Sequence, residues 1–315
     1  MKRFLLNLLG ALAVSSALNL QLSTALAQGT SFKLLTTFTD PTPAAGDSFG
    51  RSVAAAGTDR VLIGAPGDST AAASAGAAYL FSTNGAWLTT FTKPTPDTDE
   101  SFGSSVAAVG TDRVLIGASS DHTGAPYTGA AYLFSTNGTL LTTFTNPTPG
   151  AGDGFGSSVA AVGTERVLIG APYDNTGAIM AGAAYLFSTN GALLITFTNP
   201  VPTFVANFGS SVAAVGTERV LIGAPSADLG AGTVGVSYLF SIQPVLGIRL
   251  TATNTVAVSW PSPSTDWTLQ EDTNGVASVN WSNAPGPIQD DGTNKTLIVS
   301  PPAGERYYRL FKTGG

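Results

Sequence analysis

Cysteine is absent from the 315 residues, and histidine occurs once, at His122. A disulfide framework and the paired Cys/His spacings of zinc sites are therefore excluded. Charge is thin as well: Asp, Glu, Lys and Arg make up 11% of the chain, with a formal net charge of −6. An acidic chain with scattered Lys and Arg is a poor partner for nucleic acid or an anionic membrane surface. After residue 27 no apolar run approaches the roughly 20 residues that a membrane span needs. Sustained 3.6-residue periodicity is missing from the same region, which argues against helices. A Ser-His-Asp constellation needs its histidine beside a nucleophile and an acid, and no G-x-S-x-G elbow is expected to supply the nucleophile. No catalytic residue, metal or cofactor is expected, and the chain reads as a non-enzyme.

What is present begins with a targeting segment. Lys2 and Arg3, the apolar stretch from Phe4 to Leu20, and Ala25-Leu26-Ala27 before Gln28 form a secretory signal peptide over 1–27. Its removal takes two of the 14 basic and none of the 20 acidic residues, leaving 288 residues and a formal charge of −8. An exported chain of this size without cysteine points to a bacterial protein, secreted or held at the cell surface.

The body of the chain repeats itself. Phe-Gly falls at 49–50, 102–103, 155–156 and 208–209, always 53 residues apart. Gly-Ala-(Pro/Ser) starts at Gly64, Gly117, Gly170 and Gly223, and Tyr-Leu-Phe-Ser at Tyr79, Tyr132, Tyr185 and Tyr238. Such fidelity implies four equivalent structural units. Each unit offers four short strands rich in β-branched and aromatic residues, bounded by Gly, Pro, Asn and Asp. In the second unit they are 104–109, 113–117, 130–135 and 140–145. Gly-Thr-(Asp/Glu) joins the first strand to the second. Asn84-Gly85, Asn137-Gly138 and Asn190-Gly191 join the third to the fourth, in the manner of type I′ hairpin turns. Two longer loops complete the unit. A lead loop runs into each Phe-Gly, and a cross loop connects the second and third strands. The first strand holds Ser, Val and Ala, and the outer ones Tyr, Phe, Leu and Trp87. Small residues inside and large ones outside suit a wedge-shaped propeller blade.

Phe-Gly-x-Ser-Val-Ala, then Val-Leu-Ile-Gly-Ala-Pro, then Gly-x-x-Tyr-Leu-Phe resembles the FG-GAP repeat of integrin α-subunit propellers and bacterial surface proteins. The resemblance spans about 210 residues and implies an all-β fold, here a four-bladed β-propeller over 28–243. Many such repeats carry a calcium loop between the first two strands. Here that place holds only Gly-Thr-Asp-Arg or Gly-Thr-Glu-Arg, as at 57–60 and 163–166, too short for a cation needing six to eight oxygens. The fourth unit lacks its own fourth strand, while Phe32–Thr39 before the first unit is a spare one. Ring closure is therefore expected through pairing of Phe32–Thr39 with Tyr238–Ser241, in a monomer; two chains sharing a larger ring are the alternative.

The repeat stops at Pro244. Residues 244–315 contain Trp260, Trp267 and Trp281, three of the four tryptophans. Strands are expected near 247–252, 255–260, 266–271, 277–282, 294–300 and 305–312, as in a small immunoglobulin- or fibronectin-like β-sandwich. "VAVSWPSPSTDWTLQ", "NWSN" and "RYYRLFK" resemble a C-terminal module of large exported bacterial proteins.

Acidic residues recur in the long loops. Asp68, Asp121 and Asp174 stand in the cross loops, with Asp228 displaced by one. Asp47, Glu100 and Asp153 stand in the lead loops, joined by Asp97 and Asp99, with Asp40 a tenth acid beside those nine. Strand alternation puts both loop sets on one face. Asp97-Thr98-Asp99-Glu100-Ser101 opens like an EF-hand loop, but Phe102 replaces the required glycine. These nine carboxylates are the candidate ligand-binding surface, for a protein or polysaccharide at the cell surface. The competing role is local: Asp side chains accept backbone N–H bonds in Asx-turns. Adhesion through this face is the expected function. A structural spacer is the alternative, and a hydrolase a third reading that only stray Ser and Asp suggest.

Overall fold

A computed structural model describes residues 33–230, 232–244, 246–261, 267–291, 294–300 and 304–312. The signal-peptide reading at 1–27 lies outside them. The described residues form strands and no helix.

Three units each fold into a four-stranded antiparallel sheet in sequence order. The first is β1 (Ser52–Ala56), β2 (Arg60–Ala65), β3 (Ala77–Ser82) and β4 (Trp87–Phe91). The second is β5 (Phe102–Val109), β6 (Arg113–Ala118), β7 (Ala130–Ser135) and β8 (Leu140–Thr145). The third is β9 (Ser158–Val162), β10 (Arg166–Ala171), β11 (Ala183–Ser188) and β12 (Leu193–Thr198). The fourth has three strands, β13 (Ser211–Ala214), β14 (Arg219–Ala224) and β15 (Val236–Ser241). Register repeats with sequence: Ile63 faces Tyr79, Ile116 faces Tyr132, Ile169 faces Tyr185, and Ile222 faces Tyr238.

The Asn-Gly turns differ from the type I′ expectation. Ser82 N–H bonds to the Ala86 carbonyl and Gly85 N–H to that of Ser82. Gly85 has φ +97°, whereas Asn84 is not at positive φ. This is a three-residue loop in which only the glycine is left-handed. The asparagine Oδ1 accepts from the Ser82 hydroxyl and from Ala86 N–H, a role that needs no left-handed backbone.

Consecutive units stack through their first strands, β1 on β5, β5 on β9 and β9 on β13. The small Ser, Val and Ala side chains allow that approach. The leucine face of one unit meets the Val-Ile-Tyr-Phe face of the next. Leu62 and Leu80 pack with Val114, Ile116, Tyr132 and Phe134. Leu168 and Leu186 pack likewise with Val220 and Ile222. Burying each such side chain contributes about 1.5–3 kcal/mol, so cohesion lies as much between sheets as within them.

The Phe-Gly corner locks each junction. Phe102 N–H donates to the Ala75 carbonyl at 2.9 Å, and the Ser52 hydroxyl to the Gly103 carbonyl at 2.7 Å. A Cβ on Gly64 would lie 2.1 Å from that Gly103 oxygen, so glycine is obligatory there. Phe155-Gly156 and Phe208-Gly209 repeat the arrangement.

Among the described residues the expected closure is not seen. Residues 33–39 carry no strand, Leu34 and Leu35 are exposed, and Phe32 lies outside the described residues. Strand β15 pairs with β14 alone. The outer faces of the first and fourth units remain uncovered: Val53 is 68% and Leu239 54% exposed. Among the described residues none pairs with the free edge of β15.

The tail contains two antiparallel sheets. One has the order β16 (Gly247–Leu250), β17 (Val256–Pro261), β21 (Asn294–Val299), β20 (Ile288–Asp290); the other is β19 (Ser282–Asn283), β18 (Trp267–Asp272), β22 (Tyr307–Lys312). They share a core of Val258, Trp260, Leu269 and Leu297. The strand expected at 277–282 shrinks to β19, and β20 was not anticipated. Lys312 Nζ reaches Glu218 in the fourth unit.

Candidate functional site

Lead and cross loops share one side of the sheets. Gly67, Ser120, Tyr173 and Ser226 donate backbone N–H bonds to the carbonyls of Asp47, Glu100, Asp153 and Ala206. Each cross loop also touches the next lead loop: Asp99 N–H bonds to Ala73, Gly152 to Pro126, and Val205 to Ile179. The long loops thus form one continuous rim.

Most of the nine carboxylates work beneath that rim. Asp68, Asp121 and Asp174 are buried. One oxygen of each accepts N–H from Thr70, Thr123 or Thr176 at 2.7 Å, and the other accepts the Tyr79, Tyr132 or Tyr185 hydroxyl at 2.5–2.7 Å. They pin the cross loop to the third strand. Burial, and then the Asp partner, push those tyrosine hydroxyls far above the ordinary tyrosine range. Asp47, Glu100 and Asp153 are buried too, each accepting an N–H from three residues back: Ala44, Asp97 and Gly150.

A third position, again 53 residues apart, sits between the two acids. In the second unit it is Lys93, whose Nζ bridges Glu100 and Asp121. In the third it is Asn146, whose Nδ2 donates to Asp153 at 2.8 Å and Asp174 at 3.2 Å. In the first it is Asp40, so Asp40, Asp47 and Asp68 each present a carboxylate oxygen within 4.8 Å of the others. These three are the described carboxylates close enough to share one cation. In the fourth, Asn199 holds this position, Ala206 and Ala227 stand in place of the two acids, and the Asn199 Nδ2 has no partner among the described residues.

The bridging residue sets the electrostatics. Burial alone would raise Asp121, but hydrogen bonds from Thr123 and Tyr132, with the Lys93 charge, hold it below the usual carboxylate range. Asp153 has the neutral Asn146 instead. Burial, then repulsion from Asp174, raise its carboxyl despite the Gly150 and Asn146 hydrogen bonds.

The family profile described as "FG-GAP repeat" matches residues 35–81, 92–134 and 143–187. Three stretches of the chain are similar to the FG-GAP repeat. Each matched segment runs through Phe-Gly and ends within the third strand of a sheet. No curated protein matches the chain. Among solved structures, the β-propeller domain of the Trilobed protease from Pyrococcus furiosus is similar, with TM-score 0.33 and 8% identity over 79% of this chain and 80% of that one.

On the solvent side of the FG-GAP loops, only Asp97 and Asp99 of the nine acids are exposed; Asp228 is half-buried and caps Gly230 and Gly232 N–H groups. The exposed large side chains there are apolar: Tyr127, Tyr173, Ile179, Met180, Val201 and Phe204. His122 meets Tyr127 edge-on, ring centroids 4.6 Å apart. Sequence reasoning missed this set. The available signal was variation between copies: the cross loops differ where strands and short turns are nearly invariant.

Gly46-Asp47-Ser48-Phe49-Gly50 has the spacing of a hydrolase nucleophile elbow, and Ser48 has φ +57°. Ser101 and Asn207 hold the same position at φ +56° and Gly154 at +66°. It is the turn of every FG-GAP lead loop, and no helix follows it, as an elbow requires.

Proposed function

We propose that this is an exported, non-enzymatic adhesion protein of bacterial type, with four FG-GAP propeller blades and an immunoglobulin-like tail sandwich. It binds a protein or polysaccharide at the cell surface through the rim of long loops. The observation that carries this reading is the exposed apolar set on that rim. Phe204 is 70% and Ile179 60% exposed, on neighbouring loops joined by the Val205–Ile179 backbone bond. A structural spacer has no use for such side chains, whereas exposed apolar patches on rigidly held loops mark interaction sites. The acidic contribution narrows to Asp97, Asp99 and Asp228, the other six carboxylates serving as internal ties.

The test is binding of the protein to native envelope material, with Tyr127→Ser, Ile179→Ser and Phe204→Ser combined. Retention should fall at least tenfold with melting temperature unchanged. Equal binding by parent and variant would favour the spacer.

A further inference from the structure

Every junction between consecutive units is a plug in a socket. The socket parts on the first unit are Ser52, Gly64 and Gly76; the plug is Phe102-Gly103 of the second. An arginine adds a tie on the opposite side: Arg60, Arg113 and Arg166 donate to the carbonyls of Thr111, Thr164 and Thr217 in the next unit.

The free end of the fourth unit is a complete socket. Ser211, Gly223, Gly235 and Arg219 stand where Ser52, Gly64, Gly76 and Arg60 stand in the first unit, 159 residues on. The atoms nearest to a Cβ on Gly223 all belong to Ser211, in place of the next unit's carbonyl. A depression of about 400 Å³ opens there, lined by Ser211, Gly223, Ala224, Val234, Gly235 and Val236. Arg219 finds no carbonyl partner among the described residues. Beside it Leu221 and Leu239 are exposed, whereas Leu62 and Leu80 are at most 1% exposed.

The other end is an unused plug. Phe102, Phe155 and Phe208 are fully buried, but Phe49 is half-buried, Gly50 is exposed, and a Cβ on Gly50 would meet nothing within 4 Å.

We propose that the Phe49-Gly50 corner of one chain fills the Ser211-Gly223-Gly235 socket of a second copy of the same chain. The contact required is already made three times in each copy, so the surfaces are matched by construction. Among the described residues of one chain neither end is covered, and the plug does not sit in its own socket. Reciprocal docking of two copies closes eight blades, the upper end of the usual range of four to eight. The contact is heterologous, and closure is what keeps it from growing into a fibre. This dimer is the two-chain alternative to the monomer expected from sequence.

Docking also supplies the missing strand. Phe91 precedes Phe102 by 11 residues, and Phe38 precedes Phe49 by the same 11. Thr89 pairs with Leu80 in the first sheet. The equivalent pair sets Thr36 of one copy opposite Leu239 of the other, on the open edge of β15.

The absence of native cysteine makes a cross-linking test clean. Thr36→Cys and Leu239→Cys are prepared as separate full-length proteins and mixed under oxidising conditions. The mixture should yield a disulfide-linked dimer at least tenfold above either variant alone. Leu239→Arg, at a side chain exposed in the single chain, should halve the mass in sedimentation. The proposal is overturned if the double variant Thr36→Cys/Leu239→Cys closes its disulfide within one chain. It is equally overturned if the mixture gives no more linked product than the single variants.

Discussion

A lysine, an asparagine and an aspartate occupy one repeated position, Lys93, Asn146 and Asp40, each between two buried acids. The same substitution should therefore have opposite signs in neighbouring units. The folded pKa of Asp121 is depressed, so its contribution is present at neutral pH and lost as pH falls through that lowered value. Asp121→Asn should cost roughly 1.5–3 kcal/mol at pH 7, the usual worth of a hydrogen bond to a charged group. The folded pKa of Asp153 is raised, so its ionisation costs stability above that value and the cost vanishes below the unfolded one. Asp153→Asn should raise the melting temperature at pH 7 by about 2–4 °C, the effect of about 1 kcal/mol in a domain of this size. The gain should disappear as pH falls toward the ordinary carboxylate range. Thermal melts across pH check both, and a stabilising Asp121→Asn would contradict the assignment.

At the scale of elements, strands and loops were legible because repetition multiplies weak local signals. Ser-Val-Ala, Val-Leu-Ile-Gly and Tyr-Leu-Phe-Ser each fall on the strand expected, and the shared side of the long loops follows from alternation. The roles of the acids were not legible. Asp68 and Asp121 look like surface charges until Tyr79 and Tyr132, 11 residues on, turn out to donate to them. The hairpin turn type was hidden too, since Asn-Gly serves both two- and three-residue loops. Closure was not legible for a different reason: equivalence between copies describes the middle of an array and says nothing about its ends. The junction glycines make this testable. A Cβ on Gly117 would lie 2.1 Å from the Gly156 carbonyl, so backbone must move. One on Gly223 meets first the Ser211 hydroxyl at 2.4 Å, which can rotate away. In the single-chain Leu239→Arg background, Gly117→Ala should cost on the order of 3 kcal/mol or more and Gly223→Ala under about 1 kcal/mol. Denaturant midpoints compare them directly, and equal losses would show that the Gly117 junction is not packed as described.

For the whole molecule, four copies do what one cannot. A single blade leaves both faces bare, and its neighbours cover them. The array then presents eight non-identical long loops on one rigid rim, a surface suited to recognition. The same logic leaves a plug at one end and a socket at the other. The account therefore rests on whether those ends are satisfied by a second chain. Native mass spectrometry of the protein at micromolar concentration answers this most directly. The account predicts a species of twice the chain mass, reduced to one chain by Leu239→Arg. A single-chain mass for the parent at every concentration would contradict it.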